Sequence, residues 1–326
     1  MMQALQVLRV GDDFEGVQVV EVAAPRAGPG QVLIKVRAAS LNFPDLLMPK
    51  GKYQHKPETP FTLGGDLAGE VVAVGEGVSR IQAGEQVSGV GLGAFAEYAV
   101  LPEATIDPKP SALDFAETAA FGAAYLTAHV ALCERGRLRP NEWVLVHGST
   151  GGMGLAAVDL AKALGARVIA TSTSDAKLAE VAALYAPDAV INARNGFREE
   201  VKALTGGRGA DIIFDPVNGD VFDESMRCIA FDGRLLVIGF TGGRIASVNT
   251  NLPMIKACSI VGVRAGEYGR RFPEARRAIS AELLRLAEER RIRPHIAARF
   301  RLEQWRDAFA LMESRQAVGK IVFEIG

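Results

Sequence analysis

Apolar positions along the chain fall into two textures. Through roughly the first 120 residues they come as short runs, such as "VLIKVRAA", "GEVVAVG", "EQVSGV" and "AEYAVL", broken by Gly and Pro. That punctuation predicts strands joined by turns. The stretch "ETAAFGAAYLTAHVALCE" reads as a helix, and beyond it the pattern changes. Longer apolar runs, "WVLVHG", "ARVIATS", "DAVINA", "ADIIFDP", "RLLVIGF" and "SIVGV", now alternate with helical segments. Strands that are apolar on both faces and spaced by helices predict a doubly wound α/β fold, with a parallel sheet covered on both sides. The last 55 residues are predicted to hold two helices, around 273–291 and 303–314, and a terminal strand in "GKIVFEI". The chain shows no internal repeat.

Length and composition narrow the picture without redirecting it. At 326 residues the chain is expected to form two domains. Lys and Arg total 37 against 38 Asp and Glu, with no basic stripe, so a nucleic-acid partner has no electrostatic support. The opening "MMQALQVLRVGDDFEG" turns acidic early for a signal peptide, and no apolar run approaches membrane-spanning length. A cytoplasmic protein without membrane attachment is the expectation. Cys133, Cys228 and Cys258 are widely separated, which argues against a disulfide framework or a cysteine zinc site.

Candidate chemistry begins at "HGSTGGMG", residues 147–154, between the strand "VLV" and the helix "GLAAVDLAKALG". A strand-to-helix turn rich in glycine places backbone N–H groups and a helix dipole where they attract phosphate. Gly151 is expected to permit the tight turn, Gly152 the approach of a pyrophosphate, and Gly154 the packing of helix on strand. Thr150 and Met153 complete the loop, and Ser149 stands where the strict G-x-G-x-x-G pattern has its first glycine. With the βαβαβ rhythm around it, the loop reads as a dinucleotide site.

The end of the next strand, "RVIATSTSDAK", bears on which dinucleotide. An NAD-binding protein places an acid there on the ribose 2′-hydroxyl. Here stand Ser172, Thr173 and Ser174, with Lys177 one step on. Hydroxyls and a lysine favour a 2′-phosphate, each charge-assisted contact being worth about 1–3 kcal/mol. NADPH is therefore favoured over NADH. The alternative is that Ser174 merely caps the next helix and Lys177 is a solvated charge.

In order and content, the segments "AASLNFPDLLMPKGKY", "PFTLGGDLAGEVVAVGEGV", "FAEYAV", "GSTGGMGLAAVDLAKALGARVIA", "GDVFDESMRCIAFDGRLLVIGF" and "ESRQAVGKIVF" span nearly the whole chain. On these segments the sequence resembles the medium-chain dehydrogenase/reductase superfamily, within it the zinc-independent NADPH:quinone oxidoreductases of the zeta-crystallin-like branch. The resemblance implies a GroES-like catalytic domain from residues 1–121 and 266–326, a Rossmann domain inserted over 122–265, and an active site in the cleft between. It also implies a homodimer. Zinc alcohol dehydrogenases of the superfamily hold their metal with a cysteine and a G-H-E motif. The matching positions here are Asn42 and Gly65-Asp66, and neither Asn42 nor Gly65 offers a thiolate or imidazole. The structural zinc lobe is missing too.

Further site residues follow from the resemblance. Asn42 matches a pocket asparagine suited to bonding the nicotinamide ribose or an acceptor carbonyl, or else it is a turn residue before Pro44. Tyr53 matches a pocket tyrosine able to bond the acceptor oxygen or donate a proton. A partly buried structural role is its alternative. Thr127 matches a contact to the nicotinamide end, unless it bonds its own helix backbone. Lys320 matches a basic residue near the cofactor, or is solvated at the start of the last strand. Asn192, Val217, Phe240, Thr241, Val263 and Arg264 fall at the carboxyl ends of strands, where such sheets bind ligands. Some relatives hold the adenosine phosphate with an aromatic residue after the asparagine. Here Ala193 and Arg194 follow Asn192. His147 is expected to be structural. The function implied is metal-free reduction of a quinone or similar conjugated electrophile by NADPH. Its rivals are an enoyl-thioester or enone reductase, and a structural or RNA-binding protein without turnover.

Overall fold

A computed structural model of the chain describes all residues, Met1–Gly326. It divides into two compact units, Met1–Ala123 with Leu284–Gly326, and Ala124–Leu283.

The first unit opens with strands β1 (Met2–Val7), β2 (Val17–Val22) and β3 (Gln31–Leu41), then the short helix α1 (Phe43–Leu47). Strands β4 (Phe61–Thr62), β5 (Asp66–Val74), β6 (Gln86–Val90), β7 (Tyr98–Pro102) and β8 (Ile106–Pro108) follow, and helix α2 (Phe115–His129) leads out. Its larger sheet runs β15-β16-β3-β5-β6-β8, where β15 (Ile296–Arg301) and β16 (Lys320–Glu324) come from the end of the chain. β3 is the spine of this sheet, antiparallel to β5, β7 and β16. Every second residue from Val32 to Val36 is fully buried, as a period-2 strand with one face on the core requires. Phe95, Phe323, Leu5, Leu67 and, from helix α10 (Trp305–Glu313), Trp305 and Phe309 fill that core.

The second unit carries the six predicted apolar runs as β9 (Trp143–Val146), β10 (Arg167–Ser172), β11 (Ala189–Asn192), β12 (Ala210–Asp215), β13 (Ile229–Val237) and β14 (Ser259–Gly262). All pair in parallel, in the order β11-β10-β9-β12-β13-β14. That is the dinucleotide-binding order, with its switch point at β9. Helices α3 (Gly152–Ala163), α4 (Asp175–Tyr185), α5 (Arg198–Leu204), α6 (Asp220–Cys228) and α7 (Asn251–Lys256) connect the strands, and α8 (Ala265–Arg271) and most of α9 (Pro273–Glu288) follow. Leu145, Ile169, Ile213 and Leu235, one from each of four strands, are fully buried in its core. Gly165, just past α3, has φ +79°, the left-handed stop its position predicts.

The units part later than residue 265. Residues 266–283 stay with the parallel-sheet unit because polar contacts tie them there. The Tyr268 hydroxyl donates to Glu134 Oε2 at 2.9 Å, and Glu282 Oε2 lies 3.0 Å from His129 Nε2. The second division therefore falls inside α9. β15 and α8 are elements the hydrophobic pattern did not predict.

Candidate functional site

In the parallel-sheet unit the loop from β9 to α3 is shaped by glycines with different duties. Gly148 carries the left-handed φ of +57°, so the tight turn is made there. Gly151 sits at φ −80° and ψ 159°, extended backbone open to any residue, which corrects the expectation that it makes the turn. Gly154 does permit close packing. A Cβ on it would lie 2.2 Å from the Gly148 carbonyl oxygen and 2.8 Å from Ser149 Cα. Ser149 is fully buried, and its hydroxyl donates to Thr171 O at 2.9 Å, stitching the loop to β10. Helix α3 begins at Gly152 with no side-chain cap, so the amides of its first turn have no side-chain acceptor. An uncapped helix start beside a glycine turn fits a diphosphate. Thr150 stands in the same turn, and its hydroxyl makes no hydrogen bond within the protein.

His147 is structural. It is buried, with Nδ1 2.9 Å from Thr171 Oγ1 and Nε2 2.8 Å from Ser225 Oγ. The two hydroxyls are themselves anchored, Ser225 Oγ to Val221 O at 2.6 Å and Thr171 Oγ1 to Val146 O at 3.4 Å. Burial drives its pKa down to about 3, and the ring stays neutral.

At the ends of β10 and β11 the predicted residues come together, since Ser172 and Asn192 are in register. Ser174 caps α4 by accepting from Lys177 N, as the alternative reading of it expected. The Asn192 amide braces the loop: Nδ2 donates to Asp175 Oδ1 at 2.8 Å and Oδ1 accepts from Arg194 N at 3.1 Å, which leaves one N–H open. Arg194, which the pattern left without a role, turns back so that Nη2 donates to Thr173 O at 3.2 Å. Beyond β12, Asp215 Oδ1 accepts from Val217 N and Asn218 N at 2.9 and 2.8 Å, fixing the turn that presents Val217. Thr241 is anchored by Oγ1 to Pro216 O at 3.0 Å, beside the half-exposed Phe240. Val263 N donates to Val237 O, and Arg264 is exposed at the start of α8. Thr127, half-buried in α2, has a hydroxyl with no internal hydrogen bond, unlike Thr118, which bonds Asp114 O at 2.7 Å.

The β-rich unit holds a buried polar cluster that the sequence did not foretell. Asn42, between β3 and α1, donates from Nδ2 to Asp66 Oδ2 at 2.7 Å and to Ser40 O at 3.2 Å. Its Oδ1 accepts from Lys320 Nζ at 2.7 Å. Both amide protons are spent inside the protein, so Asn42 cannot donate to an acceptor carbonyl. What it retains is a lone pair on Oδ1. Lys320 is buried too, so the solvated alternative does not hold: its ammonium reaches Asn42 and Leu41 O. Asp66 Oδ1 accepts from Ala123 N at 3.1 Å. Asp45 accepts from Asn42 N at 2.8 Å and Gly64 N at 3.2 Å. Burial, helped by the nearby Asp66, raises the Asp45 carboxyl to about 7 against those two amides and Lys320. Burial also raises Asp66 and lowers Lys320, with Lys320 and the two acids opposing those shifts in each other. The raised acids and the lowered lysine all move the cluster toward neutral forms, which a dry interior favours.

These donors do not fit zinc. Asn42 Oδ1 faces an ammonium, Gly65 has no side chain, and Asp66 is taken by Asn42 and a backbone amide. Tyr53, in the same unit, packs its ring on the core edge, and its hydroxyl makes no internal hydrogen bond. Ring packing and a free phenol coexist, so its two readings are not exclusive.

Comparison with known proteins agrees with this anatomy. The family profile for the alcohol dehydrogenase GroES-like domain matches residues 28–111, and that for zinc-binding dehydrogenase matches 152–281. A quinone oxidoreductase-like protein 2 homolog of Nematostella vectensis is 37% identical over 299 residues, covering 90% of this chain and 82% of the relative. A probable oxidoreductase from Mycobacterium abscessus superposes with TM-score 0.90 at 36% identity, over 99% of this chain and 98% of the other. A mycobacterial protein solved in complex with NADPH gives TM-score 0.91 at 28% identity, over 99% and 100% of the two chains. The chain belongs to the quinone oxidoreductase-like branch of the medium-chain dehydrogenase/reductase superfamily.

Proposed function

We propose that this protein is an NADPH-dependent oxidoreductase that passes hydride to a quinone or similar conjugated electrophile without a metal. The observation that carries the metal-free part is the Asn42 amide. Where relatives use a metal ligand, its oxygen is held by Lys320 and its nitrogen by Asp66. A cation is already built into that place. NADPH is the cofactor that relatives and residues support together. A mycobacterial neighbour is solved with it, and Ser172, Thr173 and Lys177 put hydroxyls and a cation where NAD-binding proteins carry an acid.

When bound, the reduced nicotinamide supplies the hydride. The chain's own residues do the rest. The first-turn amides of Gly152, Met153 and Gly154, with the Gly151 backbone and the Thr150 hydroxyl, bind the diphosphate. Val217, Phe240, Thr241, Val263 and Arg264 line the path beyond the strand ends. Thr127 offers its free hydroxyl to the nicotinamide end. Asn42 accepts a hydroxyl proton on Oδ1, and Lys320 is the positioning residue that keeps that oxygen aimed. Tyr53 bonds the acceptor oxygen, which an electron-poor quinone needs less than an alkene does.

The free Tyr53 phenol is also what favours the second reading, an enoyl-thioester or enone reductase. There a proton must reach carbon after the hydride, and a phenol is a ready donor. Turnover of 1,4-naphthoquinone and of an enoyl-CoA by wild type and Tyr53→Phe separates the two. Quinone reduction that survives the substitution supports the first reading. Reduction confined to the enoyl-CoA and lost in Tyr53→Phe supports the second.

A cytoplasmic homodimer completes the reading. β14 is an edge strand, and near it in sequence Ile245, Met254 and Ile255 are 70%, 72% and 61% exposed. An open apolar edge suits pairing with a second copy.

A further inference from the structure

We propose that Arg194 is the residue that selects a phosphorylated dinucleotide over an unphosphorylated one; the inference rests on the dinucleotide reading above and names the group that recognises the 2′-phosphate. The geometry begins with β10 and β11. They run parallel and end side by side at Ser172 and Asn192. Asn192 then accepts from Arg194 N and starts a short 3-10 turn over Ala193–Asn195. That turn reverses the chain, and the Arg194 side chain reaches across to the other strand, with Nη2 donating to Thr173 O at 3.2 Å. The guanidinium is thus moored beside Ser172 and Thr173, which the fold places at the ribose end of the dinucleotide.

The mooring uses one of the five guanidinium N–H donors and leaves four. Arg194 is exposed, so those four face solvent or ligand. A planar fork of donors matches phosphate oxygens two at a time, and part of the ordering cost is already met by the Thr173 contact. The facing charges are few. Lys177 lies in the first turn of α4, and Asp175, braced by Asn192 Nδ2 at 2.8 Å, is the one opposing carboxylate in the loop. The field at the open donors of Arg194 is positive. A 2′-phosphate gains from that field, and a 2′-hydroxyl gains almost nothing.

The test is binding alone, with no electron acceptor present. Kd values for NADPH, NADH and 2′,5′-ADP are measured by nucleotide fluorescence and calorimetry for wild type, Arg194→Ala and Arg194→Lys. We expect Arg194→Ala to weaken NADPH and 2′,5′-ADP by about tenfold or more, equivalent to about 1.4 kcal/mol, and NADH by less than about twofold. Arg194→Lys keeps the charge without the fork and should fall between. The wild-type preference should shrink as salt rises, and that of Arg194→Ala should change less. Equal weakening of NADPH and NADH would show that Arg194 only supports the turn, and an unchanged NADPH affinity would show that it takes no part; either overturns the proposal. Failure of the reductase reading looks different: wild type would bind NADPH selectively yet leave it unoxidised when a quinone or enone is added.

Discussion

His147 sits where a catalytic histidine would be easy to imagine, at the mouth of the glycine loop, yet both its nitrogens are committed to hydroxyls inside the fold. Its pKa is lowered to about 3 from 6.5, so the folded state resists protonation and the unfolded state does not. The stabilising effect is complete above the unfolded pKa and is lost as pH falls from about 6.5 towards 3, by at most about 1.4 kcal/mol per pH unit. Chemical denaturation should show wild type losing stability relative to His147→Gln at about that slope as pH falls from 7 to 4.5. An equal slope in the variant would mean the imidazole is protonated in the folded protein. Asp45 has the opposite sign. Its folded pKa of about 7 stands above the ordinary 3.8, so the folded state prefers the protonated form and stability falls as pH rises between those values. Asp45→Asn removes this liability while losing an acceptor. Its stability deficit relative to wild type should therefore be on the order of 2 kcal/mol smaller at pH 8 than at pH 5. A deficit independent of pH would contradict the neutral cluster around Asn42.

At the scale of elements, the loop into α3 makes a contrast within four residues. Gly154→Ala drives a Cβ to 2.2 Å from the Gly148 carbonyl, so helix and turn must separate. A cost of about 1–3 kcal/mol and a marked loss of NADPH affinity are expected. At Gly151 an added methyl would find its nearest neighbour 3.6 Å away and φ is −80°, so the stability of Gly151→Ala should lie within about 0.5 kcal/mol of wild type. Thermal denaturation of the two variants checks both. The pattern in the sequence carried the six parallel strands because each is a short apolar run bounded by turns. It did not carry β15, whose "IAARFR" is half-exposed and has two alanines in a row before arginines that flank Phe300. It marked the glycine loop but assigned the turn to the wrong glycine, because spacing does not report which residue adopts positive φ. It could not find the Asn42 cluster. Asp45, Asp66 and Lys320 meet only after β3, β5 and β16 pair, and nothing local to "VGKIV" marks that lysine as buried.

For the whole molecule, the exposed edge of β14 carries its own expectation. If two copies join there, Ile260→Arg should shift sedimentation from dimer to monomer, since an unpaired charge would be set into the joint. A monomeric wild type, or a dimer indifferent to the change, would place any association elsewhere. Both family segments and the full-length structural likenesses put this chain among oxidoreductases, and the proposed metal-free route rests on the chemistry at Asn42. The most direct measurement is NADPH oxidation by 1,4-naphthoquinone, using protein treated with a strong chelator and assayed for bound metal. Turnover that persists in full with no zinc present is the predicted result. Turnover that disappears on chelation and returns only with added zinc would contradict a reductase built around Asn42 and Lys320.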